Sequence, residues 1–111
     1  MPARGEIWLA ELDPTRGREQ AGRRPVLVTS DDIYNRGPTD LIVSLPITST
    51  LRNVPIYVRI RPPEGGLRTE SMVLCDQIRS LARERFIHRL GRVTDGTMGS
   101  IETSLRALLR L

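Results

Sequence analysis

The chain has no lysine, one cysteine, one histidine and few aromatic residues, and each shortage removes a class of function. A lone Cys75 excludes an internal disulfide and fits a reducing compartment. One His and one Cys exclude a multi-His or multi-Cys metal site. Cys75 and His88 are formally a nucleophile pair, but no oxyanion hole or orienting group accompanies them. Cys75 lies in an apolar run and reads as an inert core thiol. Neither GxxxxGK[ST] nor GxGxxG occurs, so no phosphate-cradling loop is announced. No apolar run approaches the ~18 residues of a membrane span. The opening, Met1-Pro2-Ala3-Arg4-Gly5-Glu6, lacks the apolar region of a signal peptide. A soluble cytoplasmic protein without membrane contact is expected, with 111 residues forming one domain over 1–111.

What is present is arginine. All 17 basic residues are Arg, the net charge is +4, and the pI is about 10.5. Codon usage in a GC-rich genome is the plain alternative reading of the missing Lys, and the chemistry follows all the same. Every cation is a planar fork suited to phosphates and base edges. Residues 52–68 hold four Arg and one acid, and residues 79–92 hold five Arg and one acid. Such stretches suit a polyanion, a solvated face or an acidic protein partner.

The most informative segment runs from Gly17 to Val28. It is a polar loop ending in Arg23 and Arg24, followed directly by the apolar Val26-Leu27-Val28. Pro25 limits Arg24 to extended conformations and pre-sets its own φ. Arg24 is thus held at the edge of a strand, shaped for bidentate contact with phosphate.

Apolar alternation predicts strands over 6–12, 26–29, 41–48, 56–60, 71–78 and 87–93. Pro46 suggests that the third strand is an edge or bulged strand. Helical turns are expected at 31–35 and 82–85. Residues 13–24 form a long loop of the kind that often carries function. Met98, Ile101, Leu105, Leu108 and Leu109 recur at helical spacing and predict a terminal helix packed on the core, capped by Thr94 or Asp95. The expected architecture is mainly β with a C-terminal α-helix, a strongly bent sheet or small barrel crossed by the helix.

Polar residues collect at strand ends. Arg24 precedes the second strand, Thr48 and Ser49 end the third, and Asp76, Gln77 and Arg79 end the fifth. Glu19 and Gln20 lie in the long loop. Strand ends of a small barrel can converge on one rim, where an Arg, a hydroxyl, a carboxylate and an amide suit a phosphodiester. The Arg stabilises the charged transition state, the hydroxyl fixes a phosphate oxygen, and the acid orients or deprotonates a nucleophile. Without clustered metal ligands, RNA's own 2′-OH is the simplest nucleophile.

At these residues the chain resembles the MazF/PemK toxin family, the endoribonucleases or mRNA interferases of type II toxin–antitoxin modules. The likeness follows Arg4-Gly5-Glu6-Ile7-Trp8, Leu12-Asp13-Pro14, Gly17 with Glu19-Gln20, and Arg24-Pro25-Val26-Leu27-Val28. Pro46-Ile47-Thr48-Ser49 resembles a second motif and Cys75-Asp76-Gln77-Ile78-Arg79-Ser80 a third. The resemblance implies an SH3-like barrel with a C-terminal helix, assembled as a homodimer. It implies sequence-specific cleavage of single-stranded RNA with no metal or cofactor, leaving a cyclic phosphate and a 5′-hydroxyl, and a cognate antitoxin covering the RNA groove. Arg24 matches the family's catalytic Arg and Thr48 its catalytic Thr. Asp76 matches a carboxylate that some members use as base or orienting group, and Glu19 is the rival. Arg16, Arg18, Gln20, Arg23, Ser49, Arg52, Gln77 and Arg79 are the expected RNA-binding side chains, with Leu51 in a specificity loop. Some members have a His where this chain has Arg18, and an Arg where it has Leu74, so mechanisms relying on those side chains do not transfer.

Two other readings stand beside this one. Gyrase-poisoning toxins share the fold and use a Trp near the C-terminus; here the sole Trp is Trp8, in the first strand. A non-catalytic RNA-binding barrel fits the charge but does not require the Arg24 and Thr48 motifs.

Overall fold

The computed structural model describes residues 1–13, 17 and 19–111. Its alternating apolar segments become seven strands: β1 (Glu6–Glu11), β2 (Arg23–Val28), β3 (Leu41–Thr48), β4 (Val58–Ile60), β5 (Ser71–Val73), β6 (Arg79–Ala82) and β7 (Phe86–Arg92). A single turn of helix, α1 (Asp32–Asn35), follows β2, and α2 (Asp95–Leu109) ends the chain. The sheet is antiparallel in the order β4-β5-β3-β2-β1-β7, with β6 also on β3.

β3 organises the bend. Leu41 to Ser44 pair with β6, whereas Ile47 and Thr48 pair with β5. The expectation of an edge strand at Pro46 is therefore wrong, because β3 has neighbours on both sides. Pro46 sits in the gap where one neighbour replaces the other, and its carbonyl accepts from Leu74 N at 2.9 Å. The N–H that proline lacks points to the same side as that carbonyl, into the gap, so no ladder bond is lost. Register shifts in the β1–β7 ladder, between Ile7 and Trp8 and between Leu9 and Ala10, add curvature at the other end. Among the described residues β4 and β7 do not pair, so the sheet is a half-barrel.

The expected strand over 71–78 is three elements. β5 stops at Val73, Cys75–Gln77 form a 3-10 turn, and β6 begins at Arg79. Cys75 is buried and Asp76 exposed, and this alternation resembled a strand in sequence. Asp76 and Gln77 therefore stand on a turn and not at a strand end. β2 begins earlier than expected, taking in Arg23 and Arg24, and β4 begins later, leaving Tyr57 just before it.

The main core joins Ile7, Leu27, Leu45, Ile47, Ile60, Val73 and Cys75 to Ile101 of α2. A smaller cluster gathers Ala10, Leu12, Val26 and Leu81 beneath Trp8 and Phe86, whose rings meet edge-on at 6.3 Å. Thr94 caps α2 by accepting from Thr97 N at 3.1 Å, and Glu64 accepts from Thr94 N at 3.0 Å and Thr97 Oγ1 at 2.6 Å. Met98, Ile101 and Leu105 face the core as expected. Leu108 and Leu109 do not; at 39% and 49% exposed they lie on the last turn, beyond the apolar surface the helix covers.

Glycine is required where the turn at Glu64–Gly66 crosses β7. Gly65 and Gly66 have φ of 69° and 73°, and a Cβ on Gly91 would stand 2.4 Å from the Gly65 carbonyl carbon. The backbones touch, and only glycine leaves room. Gly91 lies within β7.

Candidate active site

The first side of the site is the end of the β2–β3 ladder. Val26 pairs with Pro46, Leu27 with Leu45 and Val28 with Ser44. Continuing that register by two residues sets Arg24 against Thr48, on one face, where the two strands part. Arg24 is exposed, and among the described residues the one hydrogen bond of its side chain is Nε donating to Ala21 O at 3.1 Å. The remaining N–H groups of the fork are open to a ligand. Thr48 is only 5% exposed, and its Oγ1 accepts from Thr50 N at 3.1 Å. That bond fixes the oxygen and leaves the hydroxyl proton without an acceptor among the described residues.

The second side is the turn after β5. Leu74 N on the Pro46 carbonyl anchors this turn against β3, close to Thr48. Asp76 projects from it, and Tyr57 Oη donates to Asp76 Oδ2 at 3.0 Å. Burial, and then the hydrogen bond and charge of Asp76, raise the Tyr57 pKa, so the phenol remains a donor well into alkaline pH. Next along, Gln77 Oε1 accepts from Gln20 N at 3.0 Å, tying the long loop to the turn. Glu19 Oε2 approaches Arg79 Nη1 at 4.0 Å, too far to hydrogen-bond. Arg79 is 23% exposed, and its Nη1 is buried without an acceptor among the described residues. A buried, unpaired guanidinium N–H is a receptor for an anion or a base acceptor.

Of the expected site residues, Gln20 bonds Gln77 and Glu19 lies 4.0 Å from Arg79, while Asp76 adjoins Gln77 on the turn and is held by Tyr57; Arg24 falls opposite Thr48 where the β2–β3 register is extended. Arg23 is elsewhere: alternation along β2 turns it to the opposite face, and its Nε lies 3.6 Å from Glu11 Oε2. Ser49 is exposed beside Thr48, and Arg52 N donates to Met72 Sδ at 3.1 Å. Arg16 and Arg18 lie outside the described residues. Tyr57 had no role in the sequence reading; nothing local connects it with Asp76, 19 positions on.

Cys75 is fully buried, and burial pushes its thiol up to about 11, so it is not a nucleophile near neutral pH. His88 is exposed on β7. Among the described residues no three His, Cys, Asp or Glu come together as a metal site. A separate hollow at Arg4, Asp32, Arg92 and Glu102 contains none of the candidate residues.

The fold is thus a half-barrel of antiparallel strands under one terminal helix. Known proteins make the class specific. Residues 3–109 match the family described as PemK-like, MazF-like toxin of type II toxin-antitoxin system. The endoribonuclease MazF9 of Mycobacterium tuberculosis is 36% identical over 116 aligned residues, covering 100% of this chain and 98% of that protein. The endoribonuclease EndoA of Bacillus subtilis is 32% identical over 97% of this chain and 94% of its own length. The crystal structure of MazF from Deinococcus radiodurans superposes with a TM-score of 0.87 at 32% identity, covering 99% of this chain and 97% of that one. A mycobacterial endoribonuclease in complex with its cognate antitoxin gives 0.84 at 32% identity, over 100% of this chain and 97% of that chain. The chain belongs to the PemK-like, MazF-like toxins of type II toxin–antitoxin systems.

Proposed function

We propose that this toxin is a metal-independent endoribonuclease that cuts single-stranded RNA at a short sequence, with Arg24 and Thr48 at the scissile phosphate. The β2–β3 register supports the reading: extended two residues past the Val26–Pro46 pair, it brings Arg24, with guanidinium donors open among the described residues, opposite the Thr48 hydroxyl. The relatives' printed activity, endoribonuclease, agrees with it.

The 2′-hydroxyl attacks the adjacent phosphorus as its proton passes to a carboxylate. The bond from phosphorus to the 5′ oxygen breaks, that oxygen takes up a proton, and a cyclic phosphate and a 5′-hydroxyl remain. Arg24 places two N–H donors on the non-bridging oxygens, where charge builds up. Its permanently charged guanidinium cannot serve as the base, and it can donate a hydrogen bond to the leaving oxygen. Thr48 donates to a phosphate oxygen from a fixed position. Asp76, held by the Tyr57 phenol, suits the orienting role. Glu19, whose carboxylate accepts no hydrogen bond among the described residues, suits the base. Glu19→Gln should flatten the acid limb of the pH–rate profile, while Asp76→Asn lowers the rate and keeps the limb. The opposite pattern exchanges the two roles.

The same surface suits an acidic antitoxin segment, as the antitoxin complex of the mycobacterial relative supports. We assign this chain a cognate antitoxin, a homodimeric state and a cytoplasmic location. No helix among the described residues is long and apolar enough to cross a membrane. The test is an RNA oligonucleotide in EDTA beside a copy with one 2′-deoxy at the cut. Cleavage of the first alone is expected. Loss of cutting in EDTA, or normal cutting of the deoxy copy, overturns the mechanism.

A further inference from the structure

Next to the candidate centre is a cavity of about 420 Å³, lined by Arg52, Asn53, Val54, Tyr57, Arg59 and Met72 among others. Two of its walls belong to the catalytic candidates. Met72 is the strand partner of Thr48, and Tyr57 donates to Asp76. A group seated here lies one side chain from both.

The lining is chemically divided. Tyr57, Val54 and the nearly buried Met72 supply flat and apolar surface. Arg52, Asn53 and Arg59 supply polar groups at the rim. The loop bearing Arg52 is pinned by its N–H on Met72 Sδ at 3.1 Å. The Arg52 guanidinium is close enough to oppose the rise in the Tyr57 pKa, yet forms no ion pair or hydrogen bond among the described residues. Arg59, by contrast, is shared with Glu70 at 3.6 Å. A free phosphate needs only the cations. A ring, a thioether and a free planar fork together fit a heterocycle that is apolar on its faces and polar on its edges. That is an unstacked nucleobase, the form in which single-stranded RNA is read.

We propose that this cavity is the pocket for one base flanking the scissile phosphate, with Tyr57 as its stacking wall and Arg52 as the reader of its edge. The proposal rests on the endoribonuclease reading. An Arg fork donates only, so the preferred base presents neighbouring acceptors. Guanine, with O6 and N7 on one edge, and cytosine, with O2 beside N3, satisfy it; adenine offers a donor beside its acceptor, and uracil places N3–H between its carbonyls.

The experiment is cleavage of an RNA set carrying each of the four bases at every position around the cut, by wild type, Arg52→Gln, Tyr57→Leu and Tyr57→Phe. Folding is checked by circular dichroism. Wild type should prefer guanine or cytosine over adenine and uracil at one flanking position. Arg52→Gln should reduce that preference by about tenfold or more, the range of one bidentate base contact. Tyr57→Leu should raise KM at the preferred base more than it lowers kcat. Tyr57→Phe should keep the base preference, because the ring remains, while changing the pH–rate profile through Asp76. Arg52 is exposed, so its variant decides the matter even if Tyr57→Leu fails to fold. Cutting by wild type with preferences unchanged in Arg52→Gln overturns the pocket alone. No cutting of any RNA by wild type overturns the functional reading beneath it.

Discussion

Thr48 offers a test that separates chemistry from folding. Thr48→Val keeps the volume and the branched shape at a position only 5% exposed. It removes the acceptor of the Thr50 N–H, a bond of 3.1 Å. Thr50 is exposed, so its N–H turns to water. The folding cost is then about 1 kcal/mol, the net value of one hydrogen bond. That is small beside the ~5–15 kcal/mol of an ordinary domain, and lowers Tm by roughly 4–8 °C. Catalysis loses a fixed donor to the phosphate, on the order of 10²–10³ in rate, or about 3–4 kcal/mol. Thr48→Ser reverses the pattern. It keeps Oγ, the bond from Thr50 N and the hydroxyl donor, and gives up one buried methyl, about 1 kcal/mol. Its rate should remain within tenfold of wild type. Thermal melts and single-turnover cleavage of one RNA, run on both variants, give four values. Equal rates for the two variants would refute the reasoning. So would a Val variant whose lost activity equals its unfolded fraction.

Arg24→Lys should lose on the order of 10² in rate with an unchanged melt, because lysine keeps the charge without the fork; cleavage at near wild-type rate removes Arg24 from the centre. Cys75 titrates in the unfolded chain near 9.0 but in the fold only near 11. Its contribution is complete below pH 9 and disappears as pH rises through 11, about 3 kcal/mol in all. Denaturant melts from pH 8 to 11 should show that loss, and Cys75→Ala should reduce it; a Cys75→Ala profile equal to wild type refutes the assignment. Gly91→Ala should fail to fold or lose more than about 3 kcal/mol, since its Cβ would overlap the Gly65 backbone 2.4 Å away. A soluble Gly91→Ala protein with a wild-type melt would show that the crossing is looser than drawn.

How much of this was legible beforehand depended on the range of the interaction. The Arg24–Pro25 junction could be read because proline restricts its immediate neighbour. The α2 cap could be read because Thr94 acts on a donor three residues away. The strand over 71–78 was misread because apolar alternation is shared by strands and short buried turns. β6 was missed for the same reason: Arg79 to Ala82 are strand only because β3 lies beside them. Pro46 misled because a rule about edges assumes one neighbour along a whole strand side, and β3 changes neighbours at that residue.

The sequence by itself determined the family, the mostly β composition with a terminal helix, and the short set of side chains able to handle a phosphodiester. Those follow from residue types, spacing and backbone restrictions that act within a few positions. Only the tertiary structure decided which of them meet. Gln20 reaches Gln77 across 57 positions, and Tyr57 reaches Asp76 across 19. Alternation along β2 puts Arg24 on the face opposite to Arg23, whose Nε lies 3.6 Å from Glu11 Oε2. Strand register is set by how whole apolar faces pack, and a shift of one residue would exchange the side chains on the rim for those behind it. That collective choice, and the cavity between Thr48's neighbour and Asp76's donor, has no counterpart in any local stretch of the chain.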